Sequence, residues 1–152
     1  MSTMYTDKVM DHFMNPRNMG EVENANAVAQ VGNPVCGDVM RMTLRIDDDD
    51  RITDIKFKTF GCGAAIASSS IMTEIIKGLT IDEALQVTNK AVTDALGGLP
   101  AQKRHCSVLA EEGIHNALRA FFEEHPERST PERLELLEKA KKRRPEDPHA
   151  VA

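Results

Sequence analysis

The clearest pattern along the chain is an alternation. Met40, Met42, Leu44 and Ile46 are apolar, and Arg41, Thr43 and Arg45 between them are polar. A period of two predicts a strand with one dry and one wet face. Ile55 and Phe57 against Lys56 and Lys58 repeat the pattern and predict the return strand. Asp47-Asp48-Asp49-Asp50 between them reads as a solvated turn; it lacks the spaced ligands and glycine of a calcium loop. Ala27–Val31 reads as a third strand.

Elsewhere the apolar positions recur at helical spacing. Val9, Met10 and Phe13 predict a short helix over Thr6–Met14, stopped by Asn15-Pro16. Arg17–Asn26 reads as a polar extended connector. Ala64–Lys77 is rich in Ala, Ser and Ile and predicts a helix closed by Gly78. Thr80-Ile81-Asp82-Glu83 has the form of a capping box opening the next helix. A further short helix is expected over Lys90–Leu96, broken by Gly97-Gly98-Leu99-Pro100. The longest prediction is Lys103–Glu124, where Cys106, Leu109, Ala110, Ala117, Leu118 and Phe121 form one stripe. Ser129-Thr130-Pro131 starts a last helix with a weak stripe, Leu134, Leu136, Leu137 and Ala140, and a basic run Lys141–Arg144 at its end. The expectation there is a solvated, charged extension, with a partner-binding arm as the alternative.

One helix, a small antiparallel sheet and then helices make an α+β domain with segregated elements. The expected architecture is a three-stranded sheet with helices on one side, chemistry at the sheet–helix loop end and a helical C-terminal tail.

Length and charge narrow the function. The 152 residues suit one domain with a tail. Asp and Glu outnumber Lys and Arg 24 to 19, for a net charge of −5, the opposite of a nucleic-acid binder. Aromatic content of 4% leaves little for base stacking. No stretch approaches the roughly 20 apolar residues of a membrane span, and Met1–Met10 does not have the form of a signal peptide. A cytoplasmic setting is expected.

The three cysteines carry the chemistry. Cys36 lies in Asn33-Pro34-Val35-Cys36-Gly37-Asp38, Cys62 in Phe60-Gly61-Cys62-Gly63, and Cys106 in Lys103-Arg104-His105-Cys106. An odd count cannot pair fully within one chain, and no Cys-x-x-Cys occurs, so disulfide, zinc-finger and thioredoxin readings are poor. Gly37 removes a Cβ where a metal and backbone must approach, and Asp38 can add an oxygen donor. Cys62, between Gly61 and Gly63, precedes the Ala/Ser helix, whose N-terminal amides favour a thiolate. Lys103, Arg104 and His105 favour ionisation of Cys106. Soft sulfur donors select zinc, copper(I) or iron–sulfur species. Three thiolates with an oxygen or nitrogen in the fourth place suit a site that holds and then releases.

Tyr5 to Gly20, the Cys36 and Cys62 segments with Ala67-Ser68-Ser69-Ser70, and Leu99-Pro100 through His105-Cys106-Ser107-Val108-Leu109-Ala110 resemble IscU/NifU-type iron–sulfur cluster assembly scaffolds. The resemblance covers roughly residues 3–125, most of all the N-terminal domain of NifU in stand-alone form. It implies domain limits of 1–125 for the scaffold and 126–152 for the extension. It implies a carrier rather than an enzyme, assembling a transient [2Fe–2S] cluster from Fe2+ and sulfur supplied by a cysteine desulfurase. The implied ligands are Cys36, Asp38, Cys62, His105 and Cys106, with Cys106 as persulfide acceptor, Gly37, Gly61, Gly63 and Lys103 in support, and Zn2+ able to occupy the same donors. Implied partners are a ferredoxin, a frataxin-like protein and recipient apo-proteins. Neither nucleic acid nor membrane is among them, and a homo-oligomer is left open. The family segment Leu-Pro-Pro-Val-Lys, which binds an Hsp70-type chaperone, reads Leu99-Pro100-Ala101-Gln102-Lys103 here. Leu99, Pro100 and Lys103 match, and the two departures weaken the expectation of that partner. The alternative implied by related sequences is a SufU-like zinc-bound sulfur acceptor; the insertion typical of SufU before the third cysteine is missing.

Overall fold

The computed structural model describes residues 5–33 and 38–143. Helix α1 spans Asp7–Met14. Thr6 caps it, its hydroxyl accepting from the Val9 N–H at 3.1 Å. Strands β1 (Ala27–Asn33), β2 (Asp38–Ile46) and β3 (Ile52–Phe60) follow. They pair antiparallel in the order β1-β2-β3. Then come α2 (Gly63–Ile76), α3 (Ile81–Ala84), α4 (Asn89–Ala95), a 3₁₀ turn at Ala101–Lys103, α5 (His105–Glu124) and α6 (Pro131–Arg143). This is the expected α+β order.

The dry face of the sheet carries Met40, Met42, Leu44, Ile55 and Phe57, all fully buried. Each such side chain contributes roughly 1.5–3 kcal/mol by leaving water. Helices α2 and α5 cover this face. Gly113 of α5 lets the helix approach closely, since a Cβ there would stand 3.2 Å from Met42 Cγ. The small residues of α2 explain its place in the middle: Ala64, Ala65, Ala67, Ser68, Ser69 and Ser70 are all buried, with α1 on one side and α5 on another.

The other face is not simply wet. The connector after α1 first runs beside β3, where the Gly20 N–H donates to Phe57 O at 2.8 Å and the Phe57 N–H to Asn18 O at 2.9 Å. Gly20 turns there with φ +128°, a region that favours glycine. The connector then crosses the outer face. The Val22 N–H donates to Thr43 Oγ1 at 3.0 Å, and Thr43 is buried although it sits on the polar register. Asn26 closes the crossing by bonding both the N–H and the carbonyl of Ile46.

Helix α6 packs on the domain rather than standing in solvent, with Leu137 and Ala140 buried against it. Arg133 Nε donates to Asp82 Oδ1 at 2.8 Å and its Nη2 to Asp50 Oδ2 at 3.0 Å. Arg128 Nε adds a bond to Asp50 Oδ1 at 2.9 Å. The acidic turn is therefore the anchor of the tail. At the other end of α6, Arg143 pairs with the buried Glu111 of α5. Among the described residues, no helix is long and apolar enough to cross a membrane.

Candidate metal centre

Sheet register decides which loops meet. Val39 pairs with Phe60, so the start of β2 lies beside the end of β3. Two residues after Phe60, the chain turns at Cys62, the N-cap of α2 (φ −79°, ψ 174°). Its carbonyl accepts from the Ala65 N–H at 3.0 Å. Asp38 opens β2, opposite Asn33. Cys36 and Gly37 lie outside the described residues, and so does the side chain of Asp38.

The third segment arrives from the helical layer. His105 and Cys106 are the first two residues of α5, directly after the turn that carries Lys103. Cys106 is fully buried, and Cys62 is half-buried. Their sulfurs lie 3.7 Å apart. His105 Nε2 lies 3.7 Å from Cys106 Sγ. Neither cysteine is in a disulfide.

The electrostatics are asymmetric. The hydrogen bond shared with Cys106 does most to bring the Cys62 thiol down to about 5. Burial opposes this. The N–H groups of Ala65 and Ala64 and the Lys103 ammonium add to the lowering. Lys103 in turn is raised, first by the Cys62 thiolate, against its own burial, with Tyr5 and Cys106 contributing. Cys62 stands as the N-cap at the N-terminus of α2, where the sequence placed it, although its sulfur makes no capping hydrogen bond.

The sulfur spacing suits a thiophilic metal, although among the described residues no three of His, Cys, Asp and Glu are grouped to hold a metal ion. Two thiolates on one tetrahedral metal at about 2.3 Å stand about 3.8 Å apart, and the two sulfurs already have that spacing. The His105 imidazole lies beside the pair, and the Lys103 ammonium faces the Cys62 sulfur. The same separation is far beyond the roughly 2.05 Å of a disulfide.

Of the expected site residues, the structure brings Cys62, His105, Cys106 and Lys103 together and sets Gly61 and Gly63 on either side of Cys62. Leu99 is buried and Pro100 precedes the 3₁₀ turn. Two neighbours did not stand out in the sequence. Tyr5 acts on Lys103, and the Phe13 ring lies over Gly63, its Cδ1 3.1 Å from where a Cβ would be. Phe13 stood in an amphipathic stripe and within the Tyr5–Gly20 segment of the resemblance, with no role of its own. The motif around it also becomes intelligible. His12 Nδ1 lies 2.8 Å from Ser70 Oγ, which also accepts from the Arg17 N–H at 2.9 Å, and Asn18 Nδ2 donates to Thr73 Oγ1 at 3.0 Å. Together they clamp α1 and the connector onto α2.

A fold with a cysteine pair at the junction of sheet and helices, and thiolate character at a helix N-terminus, defines a metal- or sulfur-handling domain. The chain belongs to the NifU-like N terminal domain family, whose model matches residues 4–128. It is 58% identical over 119 residues to the iron–sulfur cluster assembly scaffold protein IscU 1 of Archaeoglobus fulgidus, covering 78% of this chain and 77% of that one. A NifU-like N-terminal protein from Brucella abortus shares the fold, with a TM-score of 0.67 at 20% identity over 79% of this chain and 95% of its own. FiSufU of Fervidobacterium islandicum matches with a TM-score of 0.62 at 26% identity over 76% of this chain and 96% of its own.

Proposed function

We propose that this protein is a scaffold on which an iron–sulfur cluster is assembled and from which it passes to acceptor proteins. The observation that carries the reading is the Cys62–Cys106 pair at 3.7 Å, with His105 and Lys103 against it. The relatives' scaffold role agrees with it. Ferrous iron and sulfur are substrates here, and the finished [2Fe–2S] cluster leaves as cargo, so the protein is a carrier and not a turnover enzyme.

Cys62, Cys106 and His105 hold iron, and Cys36 and Asp38 complete the set. Support for the last two is the Val39–Phe60 register, which sets the start of β2 beside the end of β3, two residues before Cys62. An Asp38 oxygen, harder than sulfur, binds iron less firmly and leaves one position open to exchange. Lys103 balances the thiolate charge until iron arrives.

A cysteine desulfurase supplies sulfur as a persulfide. Each persulfide sulfur needs two electrons to become a bridging sulfide, one from an Fe2+ that becomes Fe3+ and one from a ferredoxin, and a frataxin-like protein adjusts the rate. Apo iron–sulfur proteins take the product. Free thiols at the site suit a reducing compartment such as the cytoplasm. Leu99, Pro100 and Lys103 match the chaperone segment while Ala101 and Gln102 depart from it, which weakens the case for an Hsp70-type partner in release.

Anaerobic reconstitution with a cysteine desulfurase, cysteine, Fe2+ and a reductant tests the reading by visible absorption and by iron and sulfide analysis. The expected product is a cluster with iron and sulfide in equal amounts. A second reading, a zinc-bound sulfur acceptor, draws on the likeness to FiSufU. Retained zinc, persulfide and no cluster would favour it.

A further inference from the structure

We infer that sulfur enters this site at Cys62 and is relayed from there to Cys106. The inference rests on the scaffold reading and specifies its sulfur step. Accessibility separates the two thiols. Cys106 has 0% of its surface exposed and sits within the first turn of α5. Cys62 is half-buried at a corner of the chain, next to Gly61 and two residues after Phe60, which is 79% exposed. A sulfur carried by another protein must approach from solvent. In this arrangement it meets Cys62 first, and Cys106 lies behind it.

Distance then makes the second step feasible. The two Sγ atoms are 3.7 Å apart. A persulfide on Cys62 places its outer sulfur about 2.05 Å from Sγ, so rotation about the side chain brings that sulfur against Cys106 without movement of either helix. Cys62 is held by the first turn of α2 and Cys106 by the first turn of α5, and the two helices pack on each other.

The chemistry balances without an added oxidant or reductant. The Cys62 thiolate attacks the outer sulfur of the donor persulfide. The Cys62 Sγ–S bond forms, the donor S–S bond breaks, and the donor sulfur leaves with the electron pair. Next, Cys106 Sγ attacks the outer sulfur of the Cys62 persulfide. The Cys106 Sγ–S bond forms and the Cys62 Sγ–S bond breaks. Cys62 Sγ leaves with the electron pair and takes the proton that Cys106 gives up. One S–S bond replaces another, and Cys62 is ready for a second sulfur. Cys106 is thus the resting place of the persulfide and Cys62 its port.

The test uses the full chain with a cysteine desulfurase and cysteine, without iron, by rapid quench, alkylation and peptide mass analysis. The expected result is persulfide on Cys62 first, decaying as persulfide on Cys106 rises. In Cys106→Ser the sulfur should stay on Cys62. In Cys62→Ser the labelling of Cys106 should slow at least about tenfold. Persulfide on Cys106 or Cys36 with no preceding Cys62 species in the wild type overturns the relay, as does wild-type labelling of Cys106 in Cys62→Ser. The order of appearance in the wild type decides the matter whether or not a variant folds. Persulfide on no cysteine overturns the scaffold reading, and the relay with it.

Discussion

The Phe13 ring occupies the space a side chain at position 63 would need. Its Cδ1, Cε1 and Cγ would stand 3.1, 3.3 and 3.4 Å from a Cβ on Gly63. Glycine at the first position of α2 thus seats an aromatic residue of α1 beside Cys62. Gly63→Ala should destabilise the protein by about 1 kcal/mol, because the half-exposed ring must move. In a Phe13→Ala background the same change should be neutral or stabilising, since alanine costs less backbone entropy in a helix than glycine. Urea denaturation of the four proteins gives the coupling.

Cys62 should react as a thiolate at neutral pH. Its value of about 5 lies well below the ordinary 9.0 for a thiol. In metal-free protein its alkylation should therefore reach half its plateau near pH 5, whereas a free thiol would do so near pH 9. The stability consequence has a definite sign. A lowered acid favours the fold fully only above the unfolded value and not at all below the folded one. Unfolding free energy should then fall as pH drops from about 9 to about 5. Cys62→Ser should flatten that slope.

The histidine of the α1 clamp predicts a second, separate pH effect. Burial holds His12 below the ordinary 6.5, helped by Arg17 and opposed by Glu74 and Asp11. It stays neutral in the fold while the unfolded chain takes up a proton, so stability should decline as pH falls below 6.5. His12→Phe should remove this component. It should also cost roughly 1–3 kcal/mol by taking a partner from buried Ser70. Denaturation midpoints at pH 5.5 and 7.5 separate the two effects.

The tail clasp should matter more than its surface position suggests. Burial pushes the Asp50 carboxyl up, but bonds from Arg128 and Arg133 outweigh it and hold it below 3.8. This contribution is complete above that value and lost as pH falls through the lowered one. Arg133→Ala should cost about 1–2 kcal/mol at neutral pH, since it leaves Asp50 and Asp82 facing each other less one guanidinium. The loss should shrink in high salt. Thermal unfolding of both proteins at two ionic strengths measures it.

These residues also mark what a reader of the sequence could and could not foresee. The alternation through Met40–Ile46, the capping box at Thr80 and the stripe of α5 depend on neighbours in the chain, and the structure has them within a residue or two. The meeting of Cys62 with His105-Cys106 was legible because each segment carries its own chemical signature. The crossing of the polar face by residues 21–26 was not, because one valine and backbone bonds to Thr43 and Ile46 leave no period. The Asp50–Arg133 clasp joins residues 83 apart, and local pattern made a solvated turn of one end and a free helix of the other. Phe13 looked like one member of an apolar helical stripe. Its fit to Gly63 appears only once two helices are packed.

A reconstituted cluster can be followed into an apo-ferredoxin by circular dichroism, with and without excess iron chelator. A scaffold that holds and releases an intact cluster predicts that holo-ferredoxin appears at the same rate in both. Failure to load the ferredoxin, or loading abolished by the chelator, would contradict the account, because sulfur and iron would then be leaving separately.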